Sequence, residues 1–359
     1  MFLVNVRTMN DWPVELISYV FQLACADAGH TVRSLSLTSK KFREIARPFL
    51  YHSLVISSLG QFVTLVEKLK ATPLHLRHIR HLFLALNHDP HSQDTCTADA
   101  SLIIGALQSV ADDLQTLTLV APCPFAGTLI LSCLFRLPFP RLEELTIAGL
   151  YAFSFQAGNF PRLQRLHFAA GNRNPHGLFQ FGAFDKAFPE LTCLRVSGLS
   201  RALSFVDELE RGLENGYHDV SLEKQTTFTD NIGFPLPPRL EKLYVQYTTT
   251  PPSPASSRRP SRSSSATDLA LSSSVHSITD DRQRKMIERL MDLERKYGAQ
   301  SGNRASVQLV VLDSTVGGFT VGNENGNRGK EVDVVARLKQ DWLDRLKGKD
   351  GPWVSYTEL

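Results

Sequence analysis

Five histidines crowd one short stretch of the chain, and histidine is the commonest side chain that holds a metal ion. They are His75, His78, His81, His88 and His91. His78 and His81 have a spacing that can serve a metal, but they fall around a predicted strand, where an offset of three points side chains to opposite faces. No cysteine or acidic residue joins them at an orderly spacing. We therefore predict no metal site and interpret these histidines as surface and loop residues.

Other patterns that carry chemistry are also missing. The sequence has no G-x-S-x-G nucleophile elbow and no H-E-x-x-H motif. The glycine-rich run 322–330 superficially resembles a phosphate loop, but its spacing is wrong and no Ser or Thr follows Lys330. We predict a protein that is not an enzyme, with no catalytic residue and no cofactor. An enzyme whose site escapes motif analysis is the open alternative.

The composition of the chain limits the classes of partner and the compartment that we expect. The 359 residues include 39 Lys and Arg and 36 Asp and Glu, for a net charge of +3. This near balance argues against nucleic acid or an anionic membrane as the main partner. No apolar run approaches the ~20 residues that a spanning helix needs, and we expect no secretory leader. Five scattered cysteines without a C-x-x-C pair predict reduced thiols in a cytoplasmic or nuclear protein.

A repeated six-residue pattern, apolar-x-x-apolar-x-apolar, predicts the elements that position the remaining side chains. Its copies are Ile79/Leu82/Leu84, Leu114/Leu117/Leu119, Leu142/Leu145/Ile147, Leu163/Leu166/Phe168, Leu191/Leu194/Val196, Leu240/Leu243/Val245 and a weaker Val307/Val310/Leu312. The shorter steps between copies fall in the period range of leucine-rich repeats. Each copy predicts a short strand that stacks parallel on the next, with helices or loops on the convex side. The expected fold is α/β, an irregular leucine-rich-repeat solenoid over residues 56–247; a compact α/β domain is the alternative.

In each predicted strand the residues that alternate with the inward apolar positions should share the concave side. We predict that this row binds a target protein of unknown identity. The target-binding residues are His81, Phe83, Arg165, His167, Arg195, Lys242 and Tyr244. Because the row becomes cationic toward the C-terminal repeats, an acidic or phosphorylated segment is the expected ligand. A solvated polar face with targets bound elsewhere is the alternative.

Three short helices are predicted before the repeats. Pro13 opens the first, where its missing N–H costs nothing, and Leu16, Val20 and Leu23 recur at helical spacing. An apolar run over residues 32–37 follows, and Ser39 can cap a third helix. So small a unit cannot bury all its apolar surface. A partner or the rest of the chain should cover part of it.

The pattern W-P-V-E-L-I-S-Y-V-F…L-S-L-T-S-K-K-F-R-E-I over residues 11–55 resembles the F-box, the module that docks proteins onto the Skp adaptor of cullin-RING ubiquitin ligases. It departs from the family in Trp12, where Leu is usual, and in a long connection over residues 26–30. The resemblance implies Skp binding by Trp12, Pro13, Leu16, Ile17, Val20, Leu37, Phe42 and Ile45. An ordinary helical cap on a larger domain is the alternative.

The C-terminal third completes the organisation. Residues 248–280 are rich in Ser and Pro and predict a disordered insertion. Residues 281–359 should hold the last repeat and a capping helix, in which Val335, Leu338, Trp342 and Leu346 form one stripe over the last strand.

The order of segments and the closing D-W-L-D motif resemble the fungal class of F-box proteins with degenerate leucine-rich repeats. That resemblance implies a target receptor of an SCF-type ligase. A non-degradative interaction scaffold is the alternative.

Overall fold

A computed structural model of the chain describes residues 12–86, 96–150, 155–180, 183–217, 236–249, 266–298, 307–316 and 328–353. They form a mixed α/β structure around one eight-stranded parallel sheet, whose strand order follows the chain. The strands are β1 Ser53–Ile56, β2 His81–Ala85, β3 Thr116–Ala121, β4 Glu144–Gly149, β5 Arg165–Gly171, β6 Cys193–Leu199, β7 Lys242–Thr249 and β8 Gln308–Val316. The α/β expectation is confirmed, and β1 is a strand that the repeat pattern does not predict.

Ten helices within the described residues precede, connect and follow these strands. They are α1 Val14–Ala24, α2 His30–Thr38, α3 Lys40–Ala46, α4 Leu59–Ala71, α5 Cys96–Val110, α6 Pro124–Leu134, α7 Phe184–Ala187, α8 Leu203–Tyr217, α9 Ala266–Tyr297 and α10 Arg328–Leu346. Parallel neighbours need a crossover connection, and helices supply it in several of the intervals. A 3₁₀ turn, Gly351–Trp353, follows α10.

One face of the sheet packs against the connecting helices, and we call it the helix face. The inward apolar positions of the first six repeat copies are all buried there, as predicted. Three phenylalanines extend this core, and each is followed by Pro and lies three residues before the first apolar position of a repeat copy. The ring centroids of Phe139 and Phe160 lie 5.5 Å apart, and those of Phe160 and Phe188 lie 5.4 Å apart. Aromatic neighbours at these separations add stability beyond simple burial.

The seventh copy is shifted by one residue from the prediction. Leu309 pairs with Leu243 and Val311 with Val245, so Leu309 and Val311 face the helices. The predicted positions Val310 and Leu312 point to the opposite face. A one-residue slip exchanges the two faces of a strand. The repeat pattern selects Val307 as its first apolar position because residue 306, three positions before Leu309, is Ser.

Helix α9 begins at Ala266, inside the segment predicted to be disordered. The prediction is therefore corrected for residues 266–280, whereas residues 250–265 lie outside the described residues. Met286, Leu290 and Leu293 recur at helical spacing and form the buried stripe of α9. These side chains join the main core against α8. Their burial explains why the charged helix packs instead of standing in solvent.

Helix α10 is formed as predicted, but it lies elsewhere. Val334, Leu338 and Trp342 pack against Phe83, Ala85, Val120, Ala148 and Ala169 of β2 to β5. This is the sheet face opposite the helix face, and we call it the row face. The prediction that α10 caps the last strand is thus wrong. The apolar side chains of this patch, among them Ala85 and Ala148, receive the stripe of α10.

Candidate functional site

Helix α1 carries two apolar stripes on different sides. Ile17, Phe21 and Cys25 recur every four residues and are buried in a small core formed with α2 and α3. The Phe21 and Phe42 rings meet edge to face, with centroids 5.5 Å apart. Burial raises the pKa of the Cys25 thiol to about 11, with a smaller contribution from Asp27. Cys25 is therefore a packing residue and not a reactive thiolate.

The second stripe faces away from that core. Leu16 is 55% exposed, Tyr19 61% and Leu23 64%, and Val20 is exposed beside them. We call these four residues the outer stripe. Most large apolar side chains of the described residues are buried, so four exposed ones at helical spacing form an unusual surface. The outer stripe has the exposed apolar side chains that a protein–protein interface would bury.

Side-chain hydrogen bonds fix the starts of α2 and α3. The Ser39 hydroxyl accepts the Phe42 N–H at 3.1 Å and caps α3, as its position predicts. The Asp27 carboxylate accepts the Thr31 N–H at 2.9 Å at the start of α2. Ala28 then donates its N–H to the Ser53 hydroxyl of β1 at 3.1 Å. The unit thus presents the outer stripe from a framework that is fixed to the sheet.

The residues predicted to bind an adaptor divide into three groups. Those exposed are Trp12, Pro13, Leu16, Val20 and Leu37. Phe42 and Ile45 are half-buried against the small core. Ile17 is fully buried in the small core beside Phe21 and Cys25, so its prediction as a contact residue is corrected. Sequence analysis missed Tyr19 as a candidate contact and omitted Leu23, although both follow Leu16 at helical spacing.

The predicted target-binding residues do share the row face. Phe83, His167, Arg195 and Tyr244 occupy one line across the strands, and His81, Arg165 and Lys242 occupy the next. The alternation along each strand is therefore confirmed. Target binding by these residues stays a prediction.

Most of that row is not open to solvent. Phe83, His167, Arg195 and Tyr244 are buried, His81 and Arg165 are half-buried, and Lys242 is exposed. The cover is residues 334–353, which we call the C-terminal segment. The expectation of an open concave surface is corrected, because the chain's own C-terminal segment lies on it.

Glu144 is the central polar contact between the row face and the C-terminal segment. Its carboxylate accepts hydrogen bonds from Arg165 Nε at 2.8 Å and Arg345 Nε at 3.0 Å. The indole N–H of Trp353 donates to the same carboxylate at 3.2 Å. Arg195 donates to the main-chain carbonyl of Pro352. Charge-assisted hydrogen bonds of this kind fix geometry as well as add stability.

The histidines near this face are held neutral. His52 and His81 stack with centroids 5.3 Å apart. Burial, with Arg80 nearby, lowers the pKa of His52 to about 4. Burial, with His52 and Arg80 nearby, lowers the pKa of His81 to about 3. Burial, with Arg195 and Arg337 nearby, holds the pKa of His167 well below its ordinary value. These side chains add no positive charge to the row near neutral pH.

Within the described ranges, no group of three or more His, Cys, Asp or Glu is placed to hold a metal ion. No helix in that part of the chain is long and apolar enough to cross a membrane. No family model matches the sequence, and no curated protein matches it. The outer stripe and the row face are the two surfaces that bear on function.

Proposed function

We propose that this chain is the target-binding subunit of an SCF-type ubiquitin ligase and that its N-terminal helices dock the Skp adaptor. The outer stripe of α1 carries this proposal. It offers Leu16, Tyr19, Val20 and Leu23 to solvent while Ile17 and Phe21 fill the core. Full burial of a wholly exposed Leu or Val contributes about 1.5 to 3 kcal/mol, and these partly covered side chains can gain the exposed fraction of it. A helix that exposes one apolar stripe while it buries another is suited to a protein partner.

The proposed mechanism is proximity. The adaptor links the chain to a cullin and its ubiquitin-conjugating enzyme, and the chain holds a target protein beside them. A held target lysine meets the conjugating enzyme at a raised effective concentration. The chain itself performs no chemical step in this account.

The adaptor assignment is tested by charging the outer stripe. Leu16→Glu with Leu23→Glu should weaken binding of purified Skp at least about 30-fold, or about 2 kcal/mol, because a carboxylate cannot be desolvated in an apolar interface. Leu102→Glu with Leu129→Glu is the matched control. Those residues are 41% and 40% exposed on α5 and α6, so they receive the same charges away from α1. Skp affinity equal in the two folded variants would refute the assignment.

Co-purification from cells distinguishes a ligase subunit from the alternative, a non-degradative scaffold. A ligase subunit should bring down a cullin together with Skp. A scaffold should bring down Skp without a cullin. Cullin recovery that disappears with the Leu16→Glu and Leu23→Glu changes would support the ligase assignment.

A further inference from the structure

The C-terminal segment is fixed to the row face by a small site around one tryptophan. The ring centroid of Trp353 lies 6.1 Å from that of His167 and 6.2 Å from that of Tyr244, both edge to face. Its indole N–H and the guanidinium of Arg345 both donate to Glu144. The row face thus provides an aromatic socket, formed by His167 and Tyr244, next to a buried carboxylate.

This interface is less completely satisfied than the helix face. Across the described residues, two buried side-chain nitrogens have no hydrogen-bond partner: His167 Nδ1 and Trp342 Nε1. One belongs to the row face and the other to the C-terminal segment that covers it. Buried polar groups are normally paired, because an unpaired one costs free energy. His167 Nδ1 is thus a row-face group that the C-terminal segment leaves unpaired and that another occupant can satisfy.

We propose that the row face is a binding site for a protein segment, which the C-terminal segment fills in cis and a partner fills in trans. The partner segment presents an arginine to Glu144 and an aromatic ring to the socket. A basic and aromatic segment fits better than an acidic one because a carboxylate lies at the centre of the site and His167 is neutral. This proposal is independent of adaptor docking.

The chemistry of the site predicts opposite effects for the two sides of the same contact. Arg345→Ala removes the arginine of the tethered segment and leaves Glu144 intact, so an added peptide with that arginine can compete. Glu144→Gln removes the negative charge and one of the two acceptor oxygens that either occupant needs. If the contact were purely structural, both changes would lower stability and neither would open the site to an added peptide. Glu144→Gln would then cost more stability than Arg345→Ala, because Glu144 also accepts from Arg165 and Trp353.

The test uses the full chain and a fluorescent peptide that copies residues 334–353. The peptide should bind the Arg345→Ala variant at least about tenfold tighter than the wild-type chain, since the competing segment is weakened. Adding Glu144→Gln to that variant should remove the gain. Adding Glu143→Gln should preserve it, because Glu143 is the exposed neighbour on the chain. A peptide in which Arg345 is replaced by Glu should not bind.

Four results would overturn the proposal. The peptide could bind the Arg345→Ala variant no better than wild type, or the Glu144→Gln change could leave the gain intact. An Arg345→Ala variant that fails to fold, judged by circular dichroism, would show that the C-terminal segment is an integral part of the fold and not an occupant. Tighter binding of the acidic peptide would reverse the assigned chemistry.

Discussion

The outer stripe and the row face invert the usual distribution of polarity. On α1, Leu16 and Leu23 face solvent, whereas on the sheet Glu144 and Arg195 are buried. The two regions are inverted for different reasons. No part of the described chain packs over the outer stripe. The C-terminal segment, which is distant in sequence, packs over the row face. Exposure of a face therefore depends on what packs over it as much as on which residues it contains.

Removing the central carboxylate should have the largest effect. Glu144→Ala leaves Arg165 and Arg345 without the acceptor they share, in a site that is mostly shielded from water. We expect the free energy of unfolding to fall by about 3 kcal/mol, measured by urea denaturation. Glu143→Ala makes the same charge change at an exposed position and should cost less than about 0.5 kcal/mol. Equal losses in the two variants would contradict a burial role for Glu144.

Acidification should destabilise the folded chain through the buried neutral histidines. The unfolded chain takes up protons below its histidine pKa near 6.5, whereas folded His52 stays neutral down to about pH 4. Stability is therefore complete above pH 6.5 and is lost as the pH falls toward 4. Between pH 7 and 5 the loss is about 2 kcal/mol for one such histidine.

Urea denaturation at pH 7 and pH 5 measures this loss. A His52→Gln variant should lose less stability over that interval than the wild-type chain. The same loss in both would mean that His52 does not hold a lowered pKa.

Shortening the outer stripe should have the smallest effect on stability. Leu16→Ala with Leu23→Ala removes side chains that are already more than half exposed. We expect the free energy of unfolding to change by less than about 0.5 kcal/mol per site, because exposed substitutions seldom do more. Thermal denaturation checks this. A fall of several kcal/mol in the free energy of unfolding would mean that these leucines are buried like Ile17, and would contradict their assignment to an exposed stripe.

The strands were predictable because their signal is local. Leu82 and Leu84, or Leu194 and Val196, alternate within one strand and need no knowledge of the rest of the chain. Their shared face followed from the same alternation. The register of β8 was not predictable by this means, since Ser at residue 306 removes the apolar residue that marks the first position.

The cover on the row face could not be predicted in the same way. Trp353 reaches Glu144 across a separation of 209 residues. The stripe of α10 shows that the helix buries one side, but it does not specify which surface receives it. For the same reason the sequence identified Leu16, Ile17 and Val20 as apolar without separating the buried Ile17 from its exposed neighbours.

Hydrogen–deuterium exchange of the full chain with and without purified Skp tests the central claim most directly. The account predicts that Skp slows exchange in residues 14–24, where the outer stripe lies, and leaves exchange in residues 334–353 unchanged. Exchange in residues 14–24 that is the same with saturating Skp would contradict the claim that α1 is the docking surface.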